Sequence, residues 1–421
     1  MRIRIYDARI LTMEQGKEMF SGELHIEDDK IIYVGAEKTE TGTWDREIDA
    51  QGNLLLPGFK DAHTHSAMTF LRSYADDLPL QEWLYNQVFP MEAKLTPEDV
   101  YWCAMLANLE YLSSGITANF DMYMKNESNA KASVDTGFRT VLCGSINDFG
   151  GTVEEIEQEY LHFNKYHPLI SYQLGFHAEY TTKRETLEDM AALGRKYQAP
   201  MYTHNSETLN EVEGCVERYG KTPTAFLDSL GMFDYGGGGF HCVHMTDEDL
   251  AICKEKGIWV VTNPSSNIKL ASGIAPIQKI LSMGICIAIG TDGPASNNCL
   301  DMFREMFLVT ALQKVSLMDA SAVDALDVLH MATVGGAKAM GLTDCDVLAE
   351  GKKADVIMIN LQQPNMQPLN NIAKNVVYSG SKQNVKMTMI DGKILYEDGV
   401  FHVGISPEEV YAKANESIER M

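Results

Sequence analysis

His63 and His65 in PGFKDAHTH can grip one metal ion if that segment is extended, because alternate side chains of a strand face the same way. Alone, the pair fits two surface or core histidines equally well. It gains force from His204 in THNSE and Asp292 in GTDG, each placed where an apolar run turns polar. Three imidazole nitrogens and one carboxylate oxygen, with room for a water, describe a catalytic rather than a structural site. Such donors suit zinc, with Fe(II) as the alternative, and suit calcium or magnesium poorly. Water on such an ion titrates near pH 7, roughly nine units below bulk water, so a nucleophile is available at neutral pH.

These residues lie far apart in the chain, so a fold must gather them. From Leu54 to about Leu342, apolar runs alternate with amphipathic helical stretches, the pattern of repeated βα units. Eight strands are expected: LLLPGFKDAHTH, ITANFDM, RTVLCGSIN, ISYQLGFHAEY, PMYTHNSE, GFHCVHM, IWVVTNP and ICIAIGTDG. The expected fold is a (β/α)8 TIM barrel over residues 57–345, whose C-terminal rim carries the active site. His63, His65, His177, His204, His241 and Asp292 would then share one rim. Both chain ends, 1–56 and 346–421, alternate in short bursts and are expected to form one small β-sandwich domain with a helix at the C-terminus. The run Gly236 to Gly239 reads as a flexible connector before strand six.

The segments PGFKDAHTH, THNSETLNEV, HCVHM, TNPSSNIKLASGIAPI and GTDGPASNNCLDMF resemble successive motifs of the amidohydrolase superfamily, in its methylthioadenosine and S-adenosylhomocysteine deaminase branch. The resemblance covers nearly the whole chain. It implies that His63, His65, His204 and Asp292 ligate the metal, that Glu207 and His241 are catalytic, and that His177 contacts substrate. Glu207, three residues past His204, can stand beside the metal-bound water without ligating the ion. It would move the water proton to a ring nitrogen, making the amino-bearing carbon electrophilic. His241 would hydrogen-bond the attacking oxygen, with His244 of the same motif read as structural. Asp292 would bind metal through one oxygen and carry a proton on the other, later helping to protonate departing ammonia. Binuclear members bridge two metals with a lysine at strand four, and ISYQLGFHAEY has none. One Zn2+ per subunit is expected.

For substrate, the resemblance implies that Glu92 in FPMEAKLTPEDV binds ribose hydroxyls, while a helix-start role is the competing reading. Trp83 in LQEWLYNQVFP could stack on a heterocycle from the connection after strand one, or simply pack within it. The expected reaction is deamination of an adenosine-type nucleoside. Guanine, oxidised-purine, pterin or triazine aminohydrolysis, and cyclic-amide hydrolysis, are the alternatives on the same site. The chain departs from the branch in two ways. No Arg occurs between Arg139 and Arg184, which disfavours a carboxylate-bearing substrate, and Asp61 replaces the Asn usual before the histidine pair, with Lys60 unusual beside it.

Composition narrows the classes further. The chain has 421 residues, 45% hydrophobic and 22% charged, enough for a large core. Its formal charge of -24 repels phosphate backbones and anionic lipid, which argues against nucleic-acid or membrane partners and for a small-molecule substrate. The eight cysteines form no CxxC pair, and MRIRIYDARILTMEQGKE lacks the apolar stretch of a signal peptide. A cytoplasmic enzyme is expected, with assembly into a homo-oligomer left open.

Overall fold

The computed structural model describes residues 1–38 and 42–421. The N-terminal strand β1 (Arg2–Ile10) alternates as its sequence does, burying Ile3, Ile5, Ala8 and Ile10. It pairs antiparallel with β2 (Phe20–Glu27), which pairs with β3 (Lys30–Gly35), and parallel with β4 (Arg46–Asp49) and β5 (Leu54–Pro57). Eight strands then form a parallel sheet in sequence order. They are β6 (Phe59–Thr64), β7 (Ile116–Met122), β8 (Arg139–Cys143), β9 (Ile170–Ala178), β10 (Met201–Asn205), β11 (Gly237–His241), β12 (Ile258–Thr262) and β13 (Ile287–Ile289). The chain finishes with β14 (Val356–Ile359), β15 (Val385–Ile390), β16 (Lys393–Glu397) and β17 (Val400–Phe401).

The parallel sheet curls into a nearly closed (β/α)8 barrel. Its last strand returns to its first: the Asp292 amide donates to the His63 carbonyl (2.9 Å), and the Thr291 amide donates to the Asp61 carboxylate (2.8 Å). Ala62, Phe120, Tyr202, Phe240, Val261 and Ala288 fill the interior, so the barrel is a packed base for its rim. The second sheet draws strands from both chain ends in the order β17-β16-β15-β14-β5-β1-β2-β3, with β4 also on β1.

Two expectations need correction. The run LLLPGFKDAHTH is not one strand, since Leu54–Pro57 pairs with β1 and β14 of the second sheet and only Phe59–Thr64 enters the barrel. An apolar run reads the same whichever sheet buries it. The glycine run is not a connector, because Gly237, Gly238 and Gly239 are the barrel strand itself. Gly237 has φ of +135°, and a Cβ there would meet the Met201 carbonyl oxygen at 1.9 Å. Bare backbone is what lets β11 pack beside β10.

The two sheets are tied by a buried ion cluster. Arg139 Nε and Nη2 donate to the Asp355 carboxylate (2.9 and 3.1 Å), and Arg139 also pairs with Asp391. Lys60 is fully buried, donating from Nζ to the Gly58 carbonyl (3.0 Å) and to Thr117 Oγ1 (2.7 Å). The C-terminal helix (Pro407–Glu419) packs on the helix Pro97–Ser113 beside the barrel. No helix among the described residues is long and apolar enough to cross a membrane.

Candidate metal centre and active site

The barrel brings His63, His65, His204, His241 and Asp292 to one rim. Ligand atoms of His63, His65 and Asp292 lie within 4.8 Å of one another, as do those of His63, His204 and His241. Three of the rings are oriented from behind. Nδ1 of His65 donates to the Met122 carbonyl, Nδ1 of His204 to the His177 carbonyl (2.7 Å) and Nδ1 of His241 to Asn267 Oδ1 (2.7 Å). Each therefore turns Nε2 toward the centre, and with the proton on Nδ1 a neutral ring offers a bare nitrogen there, as a metal ligand requires. His63 stacks on Phe240 with ring centroids 3.8 Å apart.

Both ring nitrogens of His63 are buried without a hydrogen-bond partner. A buried polar atom left so costs free energy unless something satisfies it. Its Nε2 lies 3.6 Å from Asp292 Oδ1, and that of His65 3.2 Å. A cation among these donors would answer the orphaned nitrogen, and the three-imidazole, one-carboxylate set matches zinc chemistry. Burial lowers His63 to about 3 and carries His204 well below its ordinary value, keeping both neutral as ligation requires. Burial works against the Asp292 charge, but His63 and His65 hold its carboxyl well below the usual range.

Glu207 and His241 face each other above this centre, with Glu207 Oε2 3.8 Å from His241 Nε2. Glu207 lies between the end of β10 and the helix Leu209–Tyr219, which Thr208 caps. The Glu211 carboxylate accepts the amides of Ser206 (2.7 Å) and Glu207 (2.8 Å), folding the turn back on itself. Burial raises the Glu207 carboxyl, with Asp292 adding to the rise and His241 opposing it. Ser206, His241, Cys242 and Asp292 all hold positive φ, between 49° and 71°. Strained backbone of this kind gathers where side chains are aimed for function.

The centre opens into a cavity lined by His65, His177, His204, Glu207, His241 and Asp292, by apolar and aromatic side chains, and by the polar Glu92, Ser145, Asn147 and Ser296. Trp83 and Glu92 both line it, from a continuous helical stretch, Leu80–Glu92, that includes a π-helical turn at Leu84–Val88. Burial raises Glu92 to about 7. His177 lines the cavity too, with Nδ1 2.8 Å from Thr181 Oγ1. His244 lies outside it, its Nε2 donating to the Ser272 carbonyl (2.7 Å).

Among the described residues, no Arg or Lys lines the cavity. Arg139 is committed to Asp355 and Arg184 to Glu188. Asp61 accepts the amide and hydroxyl of Thr291 (2.8 and 2.6 Å), so it braces the strand end that carries Asp292. Sequence reasoning gave no role to the lining residues Tyr123, Asn147, Tyr180 and Ser296, nor to Ser266 and Asn267 behind the centre. The last two, with Ser296, fall inside the quoted motifs TNPSSNIKLASG and GTDGPAS, where their polar clustering after a strand was the available signal.

Comparison with known proteins agrees with this architecture. The sequence profile described as "Amidohydrolase family" matches residues 54–395. A 5-methylthioadenosine/S-adenosylhomocysteine deaminase from Desulforamulus reducens is 41% identical, the match covering 100% of this chain and 99% of that one. A protein of the same description from Syntrophomonas wolfei is also 41% identical, over 100% and 99%. The crystal structure of an adenosine deaminase from Xanthomonas campestris, with bound zinc, superposes with a TM-score of 0.93 at 30% identity, covering 99% of this chain and 98% of that one.

Proposed function

Because the chain belongs to the amidohydrolase family and is a hydrolase of carbon–nitrogen bonds, we propose that it deaminates an adenosine-type purine nucleoside, releasing ammonia and the inosine-type product. The observation that carries this is that His65, His204, Asp292, Glu207 and His241 line a single cavity, with the ligand atoms of His63 within 4.8 Å of those of His65 and Asp292 and of those of His204 and His241. His63, His65, His204 and Asp292 would hold one zinc ion. When bound, the ion supplies the Lewis acidity that makes water nucleophilic at neutral pH.

The chain's own residues do the rest. Glu207 accepts the proton of the attacking water and delivers it to the ring nitrogen beside the amino-bearing carbon, which leaves that carbon electron-poor. Its raised, buried carboxyl suits a group that must both take and give a proton. His241 donates from Nε2 to the incoming oxygen as charge builds there, acting with both ring nitrogens protonated because Nδ1 already donates to Asn267 Oδ1. Oδ2 of Asp292, which accepts from the hydroxyls of Ser266 and Ser296, takes the remaining proton of the attacking water and passes it to the departing amine. Glu92, at the apolar side of the cavity, accepts hydrogen bonds from the ribose hydroxyls, and Trp83 and His177 enclose the purine.

The absence of Arg and Lys from the cavity lining favours 5'-methylthioadenosine or adenosine over S-adenosylhomocysteine, whose tail carries a carboxylate. Free cysteines suit a reducing compartment, and a cytoplasmic setting belongs to this reading. The test is ammonia release by zinc-loaded protein from 5'-methylthioadenosine, adenosine, S-adenosylhomocysteine, guanine, pterins and triazines. Turnover of an adenosine-type nucleoside, abolished by Glu207→Gln and by chelation, is expected. Turnover of another ring alone, or of none, overturns the proposal.

A further inference from the structure

The catalytic acid and its histidine partner are both held from a single short segment, Asn267 to Ser272. Ser272 Oγ donates to Glu207 Oε1 (3.1 Å), which leaves Oε2 as the oxygen that faces His241 Nε2 at 3.8 Å. Asn267 Oδ1 holds Nδ1 of that same His241, and the Asn267 carbonyl accepts the Ser272 amide (2.8 Å). From this geometry we infer that Ser272 is a positioning residue for Glu207 and that His244 locks Ser272 in place; the inference rests on the deaminase reading above.

The loop is built to stay where it is. The His244 ring donates to the Ser272 carbonyl, and the His244 amide donates to the Ser206 carbonyl (2.9 Å), so one residue ties the loop to the turn that carries Glu207. Ala271 sits at φ of +54° and Gly273 at +131°, and a Cβ on Gly273 would meet Val243 Cγ1 at 2.9 Å. Ser272 itself is only 6% exposed. A mobile surface loop needs neither left-handed backbone nor a half-buried histidine to anchor it. A carboxylate with several rotatable bonds does need an anchor, since a proton donor displaced by about 1 Å loses about 100-fold in rate.

The consequence is a division of labour. Oε1 is the held oxygen and Oε2 the working one. Removing the hydroxyl should disorder Glu207 without touching the metal ligands or the purine wall, so the chemical step suffers and binding does not.

Steady-state kinetics of zinc-loaded Ser272→Ala, Ser272→Thr, His244→Leu and His244→Gln tests this. Ser272→Ala should lower kcat about tenfold with KM changed less than about twofold, and Ser272→Thr, which restores a hydroxyl, should recover most of the loss. His244→Gln, which keeps a side-chain donor, should stay closer to the parent than His244→Leu. Ser272→Ala with parental kcat, or with kcat and KM moving together and no recovery in the threonine variant, overturns the inference. Should the alanine variant not fold, equal kcat in the two His244 variants overturns it as well. An inactive parent enzyme sinks the deaminase reading instead, so the two failures are distinct.

Discussion

Ser266 Oγ lies 2.5 Å from Oδ2 of Asp292, and Ser296 Oγ reaches the same oxygen at 2.9 Å, while Oδ1 is turned toward His63 and His65. The two carboxylate oxygens therefore face different tasks. Groups that orient a ligand from behind typically contribute 10–100-fold to metal affinity. Ser266→Ala should weaken zinc binding by about that factor in a chelator-competition titration; unchanged affinity would show that Asp292 is held well enough without Ser266.

Glu92 is raised to about 7 by burial. Below that pH the carboxyl is protonated and above it ionised, and the ionised form is the better acceptor for two ribose hydroxyls. The value of kcat/KM for a nucleoside should therefore fall as pH drops through about 7. Glu92→Gln should lower kcat/KM at pH 8 by about 10–100-fold, the loss of a charged hydrogen bond, and should remove this limb of the profile. A profile identical in shape to the parent's would count against a ribose role.

Arg139 and Asp355 form a buried pair between the barrel and the second sheet, with side chains 3% and 0% exposed. Burial opposes ionisation of Asp355, and Arg139 reverses that, holding its carboxyl below the ordinary range. Arg139→Met would strand that charge. The expected cost is about 3–5 kcal/mol, read as a lower denaturation midpoint, with kcat near parental at temperatures where the variant is folded. A midpoint within error of the parent's would mean that Asp355 finds another partner.

Selectivity among nucleosides follows from the cavity lining. With no cation to meet a carboxylate, kcat/KM for 5'-methylthioadenosine should exceed that for S-adenosylhomocysteine by at least about tenfold at low salt. Equal values in a direct competition assay would point to a cation outside the lining, and Lys125 of the adjoining cavity is the first to mutate.

The barrel and its rim were legible because eight apolar runs end in polar motifs, and a βα repeat leaves few other folds open. That His63, His65, His204 and Asp292 reach one rim was legible because strand ends supply both their direction and their place. What surrounds them was not legible. Leu54–Pro57 and Phe59–Thr64 differ in the sheet that receives them, a tertiary choice that hydrophobicity does not encode. Gly237 to Gly239 imitate a linker, because the demand for bare backbone comes from the neighbouring strand. Ser272 is one serine among many until the loop places it against Glu207.

Strand β5 has neighbours on both sides, β1 close by in sequence and β14 about 300 residues later. At a ribosomal pace of roughly 5–20 residues per second, its second edge waits on the order of half a minute for that partner to be made. An uncovered apolar sheet edge is the kind that recruits other chains, and Leu54, Leu55 and Leu56 are covered on that side only by this late partner. Chain order thus sets a constraint that the finished enzyme no longer displays: this strand can be closed on its second side only after nearly the whole barrel has been made.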